Sequence, residues 1–216
     1  MSACPEKVPE LKNASALAVK GVRRGVPARD AAEGFRLEAL FGRAAELSSA
    51  GASAALSFAF RLVLEAQQSG EPAAWISATE SIFFPPDAAR IGVDLEALAV
   101  IRANTLARAA GAADLLMRSG GFGLVVMDLG AGNFLPGPSL MRLAGLAKKN
   151  GSALLFLTEK EERRPSLGSL ISIRAQAKRA EKAGDRFRCE LTILKDKCRG
   201  PGWANEGVYH GPDGLR

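Results

Sequence analysis

Glycine and hydroxyl residues cluster between Gly42 and Ser53, directly ahead of apolar residues that repeat at helical spacing. In a phosphate-binding loop of this kind, backbone N–H groups bind phosphate, a lysine reaches the outer phosphates and a hydroxyl holds magnesium. Asp128 ends an apolar run and could hold the ion through water, while Glu80 could activate an attacking water. These residues together define a candidate site for nucleotide hydrolysis.

The phosphate-loop pattern G-x-x-x-x-G-K-[ST] lacks its lysine in both registers that we test. Taking Gly42 as the first glycine puts Ser48 at the lysine position, and taking Gly51 as the second glycine puts Ala52 there. No lysine occurs between residues 20 and 148. We therefore expect a protein that is not an enzyme, needs no cofactor, and keeps only a relic of a nucleotide site. The relic comprises Gly42, Gly51, Ser53, Glu80 and Asp128.

The positive charge of the chain is concentrated near its C-terminus. The chain has 216 residues and a net charge of +6, and the segment 160–200 alone holds 12 basic and 6 acidic residues. Such a segment can contact nucleic-acid phosphates or acidic proteins, although a solvated surface would look the same. With Phe187 alone interleaved, electrostatic contact is favoured over base stacking. The candidate DNA or partner contacts are Arg174, Lys178, Arg179, Arg186, Arg188, Lys195 and Lys197.

Cysteine and histidine usage excludes several classes of site. The three cysteines form no CxxC pair, and the chain has a single histidine, His210. We therefore expect no metal site and a reducing, cytoplasmic location. No apolar run approaches the roughly 20 residues that cross a bilayer, so no membrane association is expected.

Predicted strands and helices alternate through most of the chain. This alternation implies right-handed βαβ units, and hence an α/β fold with a mostly parallel sheet flanked by helices. A loop is predicted at 42–52, and helices are predicted to begin near Ser53, Pro85, Thr105 and Ser139. The strands of the sheet are predicted at 37–41, 73–76, 98–101, 123–128 and 153–158.

The last third of the sequence has a different pattern. Residues 170–173 and 187–194 alternate in part and predict a C-terminal antiparallel hairpin, with its turn at 178–185. The segment 201–216 is rich in glycine and proline and is expected to be a flexible tail. We therefore divide the chain into an N-terminal arm at 1–33, a core at 34–200 with a degenerate phosphate loop, and this tail.

The order of these segments resembles the core of RecA recombinases. The resemblance rests on AWISATE at 74–80, ARIGVD at 89–94 and GLVVMD at 123–128, with LAGLA at 143–147 and LTILKDK at 191–197. It covers roughly residues 34–200 and implies a RecA-like fold. Besides the missing lysine, Thr158-Glu159 replaces the Asn-Gln pair that couples nucleotide to DNA in RecA proteins.

Short, degenerate RecA homologues of this kind resemble the ImuA family of the bacterial ImuA–ImuB mutagenesis cassette. The resemblance implies a non-catalytic adaptor or regulator in SOS-induced translesion DNA synthesis, during the response to DNA damage. Its implied partners are ImuB, RecA, an error-prone replicative-type polymerase and, as a further candidate, DNA. Two alternatives stay open: an atypical DNA-dependent ATPase of the RecA type, and a cell-division inhibitor resembling SulA.

Overall fold

The computed structural model describes residues 34–50, 54–78, 83–132, 134–183 and 186–210. Five helices are found in these residues: α1 (Leu37–Leu40), α2 (Ala55–Gln68), α3 (Pro85–Ile91), α4 (Leu106–Ser119) and α5 (Gly137–Asn150). The same residues form eight strands: β1 (Ala44–Ser49), β2 (Ala73–Ser77), β3 (Leu98–Arg102), β4 (Leu124–Ala131), β5 (Ala153–Glu159), β6 (Ile173–Ala183), β7 (Arg186–Asp196) and β8 (Ala204–His210). The predicted arm at 1–33 lies outside the described residues.

The strands form one sheet in the order β3-β2-β4-β5-β1-β6-β7-β8. The first six in this order are mutually parallel, whereas β7 and β8 each pair antiparallel with the strand before them. Buried residues of α2 and α3 pack on one face of the sheet, and those of α4 and α5 pack on the other. This arrangement confirms the predicted α/β class, with its mostly parallel sheet and C-terminal antiparallel hairpin.

The first strand lies further along the chain than the sequence indicates. The strand predicted at 37–41 is wrong, because its first four residues form α1, and β1 occupies the predicted loop instead. All six residues of β1 are buried, since β5 and β6 pair with its two edges and helices cover its faces. A strand buried on every side need not alternate, so its small and polar residues gave no strand pattern.

The helix boundaries follow local capping chemistry. The Thr105 hydroxyl accepts a hydrogen bond from the Arg108 N–H at 3.3 Å, so Thr105 caps α4 as predicted. Gly151 ends α5 in the left-handed conformation, at a φ of 67°. Ser139 is not the cap of α5, which begins two residues earlier at Gly137, directly after Pro136.

The C-terminal hairpin is longer than predicted. Its strands β6 and β7 pair from Ile173↔Asp196 to Ala183↔Arg186, so residues 178–183 belong to a strand and not to the turn. The segment 170–172, predicted as strand, precedes β6. Charged residues in this stretch suggested a turn, but paired strands with one solvent-facing side accommodate them readily.

The expected flexible tail contains an ordered strand. β8 pairs with β7 from Arg186↔His210 to Thr192↔Ala204, and its Tyr209 ring packs edge-on against Phe58 of α2 at 5.3 Å between centroids. The glycine-rich turn before β8, with Gly200 at a φ of 83°, reverses the chain. The expectation of flexibility is therefore wrong for 204–210, while residues 211–216 lie outside the described part of the chain.

A buried ion pair connects the start of β1 to the end of β7. The Arg43 guanidinium donates to Asp196 Oδ1 at 2.5 Å, and also to the Ser172 hydroxyl at 3.1 Å and the Ala39 carbonyl at 3.1 Å. The Cys198 N–H donates to the same carboxylate oxygen at 2.8 Å. Burial raises the pKa of Asp196, but these hydrogen bonds and the charge of Arg43 outweigh burial and lower it below its ordinary value.

Replacing Asp196 with Asn should destabilise the fold by about 3 kcal/mol at neutral pH, because it leaves the Arg43 guanidinium without its counter-charge. A carboxylate with a lowered pKa stabilises the folded state above its ordinary pKa and loses that effect as the pH falls through the folded value. The difference between wild type and Asp196→Asn should therefore shrink below pH 3.8, the ordinary pKa. Urea unfolding followed by circular dichroism, at neutral pH and at acidic pH, measures the loss of unfolding free energy and its pH dependence.

The matched control is Glu206→Gln, which breaks an exposed pair with Arg188 and should change the unfolding free energy by less than about 1 kcal/mol. Equal effects of the two substitutions at neutral pH would show that the Arg43–Asp196 pair contributes no more to the unfolding free energy than an exposed ion pair does.

Candidate functional site

Parallel α/β sheets bind ligands at the carboxyl ends of their strands, and the relic residues divide between the two ends. Asp128 lies at the carboxyl end of β4, beside Ser77 of β2 and Leu157 of β5. Gly42 precedes β1 at the opposite end, where its N–H donates to the Ser152 carbonyl at 3.0 Å. The structure therefore excludes Gly42 from the candidate site, because the strand that it was expected to follow begins after it. Three further candidates lie outside the described residues: Gly51, Ser53 and Glu80.

The junction between β1 and α2 is where a strand–loop–helix phosphate motif would stand. With β1 ending at Ser49 and α2 beginning at Ala55, the first glycine of the pattern falls on Ser49 and the second on Ala54. The lysine then falls on Ala55 and the hydroxyl residue on Leu56. Sequence reasoning missed this register because it placed the strand too early.

Three side chains at the start of α2, within the described part of this junction, do not fit a magnesium–nucleotide complex. Ala54 and Ala55 are buried and carry no polar side-chain atom, and Leu56 has no hydroxyl for a metal ion. The N-cap of α2 is Ala54, without a side-chain capping bond. No catalytic step through a nucleotide can be derived from these groups.

Asp128 is the one relic carboxylate among the described residues. It is buried, and its Oδ1 accepts a hydrogen bond from the Gly130 N–H at 3.2 Å. Alternation along β4 places its side chain on the same face as Leu124 and Val126, the face that α2 covers. A carboxylate bonded to the backbone two residues on commonly fixes the turn after a strand. The same position is also suited to hold a metal ion.

A second carboxylate, Glu46 in β1, is fully buried at this end of the sheet. The Thr158 hydroxyl donates to its Oε1 at 3.0 Å, the Leu167 N–H donates to its Oε2 at 2.9 Å, and the Lys160 ammonium forms an ion pair with Oε1. A buried charge is tolerated only when it is paired and hydrogen-bonded in this way. Sequence reasoning missed Glu46 because it lay in the predicted loop.

Glu46 and a second buried side chain, Arg174, hold the β5–β6 loop (residues 160–172) in place. Arg174 is buried and donates to the carbonyls of Glu161 at 3.1 Å, Glu162 at 3.2 Å and Arg164. Burial lowers the pKa of the Arg174 guanidinium, and the charges of Glu46 and Glu162 oppose that effect. Arg174 is therefore committed to the loop and is not available to DNA or to a partner, contrary to the sequence prediction.

Gln176 completes this network. It accepts a hydrogen bond from the Ser48 hydroxyl at 2.7 Å and donates to the Lys160 carbonyl at 3.3 Å. The loop is thus connected to both β1 and β6 through side chains. Thr158 is one of the two residues that replace the Asn-Gln pair of RecA proteins. Its hydroxyl donates into the protein interior, to Glu46.

Two of the basic residues on β6 and β7 are paired with acidic side chains. Lys178 binds Glu162 at 2.9 Å, and this hydrogen bond, with the charge of Lys178, lowers the pKa of the Glu162 carboxyl. Arg188 pairs with Glu206 of β8 at 2.9 Å. Both basic side chains therefore carry an acidic partner.

Arg179 and the remaining candidates are separated from these pairs. Arg179 stacks over the Phe187 ring at 3.9 Å on the α2 side of the hairpin. Lys195 is partly buried, and burial together with the charge of Lys197 lowers its pKa. Arg186 begins β7 and Lys197 follows its last residue, so the two lie roughly 36 Å apart at about 3.3 Å per residue.

The described ranges contain neither a metal-binding cluster nor a membrane-spanning helix. No group of three or more His, Cys, Asp or Glu side chains there is arranged to hold a metal ion. No helix among them is both long enough and apolar enough to cross a membrane.

Three features together define a RecA-like α/β domain. They are a mostly parallel sheet with helices on both faces, a helix that follows the central strand β1, and a carboxylate at the end of β4. The sequence model of the RecA N-terminal domain family matches residues 6–137, which is more than half of the chain, so the chain belongs to this family.

The chain is also 28% identical over 141 residues to Protein RecA of Kineococcus radiotolerans. This similarity covers 56% of the chain and 40% of that relative, so the match spans less than half of the relative's length.

Replacing Glu46 with Gln should loosen the β5–β6 loop, because it leaves the Lys160 ammonium without its buried counter-charge. Trypsin cleavage after the exposed Arg163 should then accelerate about tenfold, the factor that corresponds to about 1.4 kcal/mol. Mass spectrometry of timed digests identifies the site and its rate.

Glu162→Gln is the matched control, since it removes an exposed pair with Lys178 and should leave the cleavage rate nearly unchanged. Cleavage at the same rate in wild type and Glu46→Gln would show that the buried carboxylate does not hold the loop.

Proposed function

We propose that this protein is a non-catalytic RecA-like adaptor or regulator of the ImuA type, acting in SOS-induced translesion DNA synthesis in the cytoplasm. The observation that carries the proposal is the start of α2, where Ala55 and Leu56 take the positions of the phosphate-loop lysine and hydroxyl residue. A domain of this family without side chains for the outer phosphates is suited to binding other proteins. The proposed partners are ImuB, RecA and an error-prone replicative-type polymerase.

The β5–β6 loop supports the same proposal. Its contacts to Glu46, Arg174 and Gln176 come from within the chain, so its position does not require a nucleotide. Thr158 donates to Glu46 instead of extending toward the space beside Asp128. A surface that keeps one shape without a ligand is suited to an adaptor.

Asp128 favours a second candidate, an atypical DNA-dependent ATPase of the RecA type. Its carboxylate lies at the end of β4 on the α2 face, from which a carboxylate can hold magnesium. The N-terminus of α2 adds a partial positive charge on that face. This candidate requires phosphate contacts from backbone groups alone.

Isothermal titration calorimetry with ATP and magnesium separates the two candidates. The adaptor proposal predicts no saturable heat, which corresponds to a dissociation constant weaker than about 1 mM. Asp128→Asn should then give the same trace as the wild type. Saturable binding that Asp128→Asn abolishes would favour the ATPase candidate and overturn the adaptor proposal.

Co-purification tests the partners directly. The full-length chain, immobilised through a tag, should retain purified ImuB or RecA at micromolar concentration, and an unrelated protein carrying the same tag should retain neither. An analytical gel-filtration run with each pair should show a shifted peak. Failure to associate with both proteins would overturn the proposal, whatever the result of the nucleotide titration.

A further inference from the structure

Helices α4 and α5 present an outer surface on the side away from the sheet. Two large apolar side chains are exposed on it, Leu115 at 67% and Met141 at 64%. One helical turn from each lies a glycine, Gly111 and Gly145, where an added Cβ would meet no atom within 4 Å. Glycine inside a helix costs about 1 kcal/mol relative to alanine, so these bare positions reduce helix stability and leave the backbone approachable.

A salt bridge crosses between the two helices and fixes this surface. Asp114 of α4 accepts from Arg118 at 2.5 Å, and from Arg142 of α5 at 2.5 Å and 3.1 Å. Leu115 follows Asp114 and Met141 precedes Arg142, so both lie at the level of the bridge along the helices, and both are exposed to solvent. We call the region formed by Gly111, Leu115, Met141, Gly145 and the bridge the outer α4–α5 surface.

The outer α4–α5 surface is rimmed by positive charge. The two helices contain five basic residues and one acidic residue. Asp114, the acidic one, has a side chain that is only 15% exposed, so the rim presents cations to solvent. The basic residues are Arg108, Arg118, Arg142, Lys148 and Lys149.

We propose that the outer α4–α5 surface is a docking site for an amphipathic helix of a partner protein, with apolar residues on one face and carboxylates along its flanks. The apolar face would pack on Leu115 and Met141, and the glycine positions let the helix approach closely. The carboxylates would pair with the basic rim, which also speeds association. This inference does not depend on the state of the nucleotide site.

The positive charge of the outer α4–α5 surface, together with its exposed apolar residues, favours an acidic amphipathic helix over three other occupants. Residues 1–33 of the same chain contain six basic and four acidic residues, so they do not complement a basic rim. A second copy of the chain, docked through the same surface, would bring two cationic rims together. Nucleic acid would match the charge but would leave Leu115 and Met141 without apolar contacts.

The test uses a fluorescein-labelled peptide of about 18 residues, five helical turns, with leucines on one face and glutamates on both flanks. Anisotropy titration of the full chain should show saturable binding. The double variant Leu115→Glu/Met141→Glu should weaken it at least about tenfold, because central apolar contacts dominate such interfaces. Lys148→Glu/Lys149→Glu should weaken it as well, and a peptide with lysine flanks should bind at least about tenfold more weakly.

Val208→Glu is the matched control, since Val208 is 66% exposed on β8, away from α4 and α5, and its substitution should leave binding unchanged. Circular dichroism checks that each variant is folded. Equal weakening by Val208→Glu would show non-specific adhesion and overturn the proposal. Absence of peptide binding would overturn it too, as would a wild-type dimer in sedimentation velocity that Leu115→Glu/Met141→Glu dissociates, because the occupant would then be a second copy.

Discussion

The buried carboxylate of Glu46 is the constraint on which the carboxyl end of the sheet depends. A charge at that depth must be matched within the protein, and Lys160, Thr158 and the Leu167 N–H provide the match. Since Lys160 and Leu167 belong to the β5–β6 loop, satisfying the charge also determines where that loop lies. Arg174 then donates hydrogen bonds to backbone carbonyls of the loop, which would otherwise lie inside the protein without a donor.

The Glu46 network lies on the opposite face of the sheet from Asp128 and α2, because Glu46 alternates with Ala45 and Leu47, which pack on the α2 side. The chain belongs to the RecA N-terminal domain family, and Asp128 in β4 lies on the face of the sheet that α2 covers. At the start of α2, however, alanine and leucine replace the groups that would contact phosphates. The sheet is stabilised by burial and backbone pairing, so the family fold by itself does not determine the family chemistry.

Much of the fold could be predicted from the sequence, and the failures have physical causes. The apolar run at 124–128 and the Thr105 cap predicted β4 and α4, because burial and capping leave local signals. β1 could not be recognised locally, since its small and polar residues become strand only through pairing with β5 and β6, which are distant in sequence. That error displaced the expected phosphate loop and attached Gly42 to the wrong end of the sheet.

The basic segment at 160–200 is a second case in which the sequence predicts a feature but not its contacts. A count of charges located it correctly, but the sequence could not reveal that Arg174 bonds inward or that Lys178 and Arg188 face acidic partners. The partners of these basic residues lie in the β5–β6 loop and in β8, segments that only the fold brings beside the hairpin. The Asp114 bridge between α4 and α5 is likewise a product of helix packing, with partners 28 residues apart.

β8 gives the sheet its final edge. Without it, β7 would present a full row of backbone N–H and C=O groups next to the apolar residues Leu191 and Ile193, a combination that recruits strands from other molecules. β8 covers that row and carries Glu206 on its outer side. Removing the seven residues of β8 would therefore expose the hydrogen-bonding edge of β7 and take Tyr209 away from the core against which it packs.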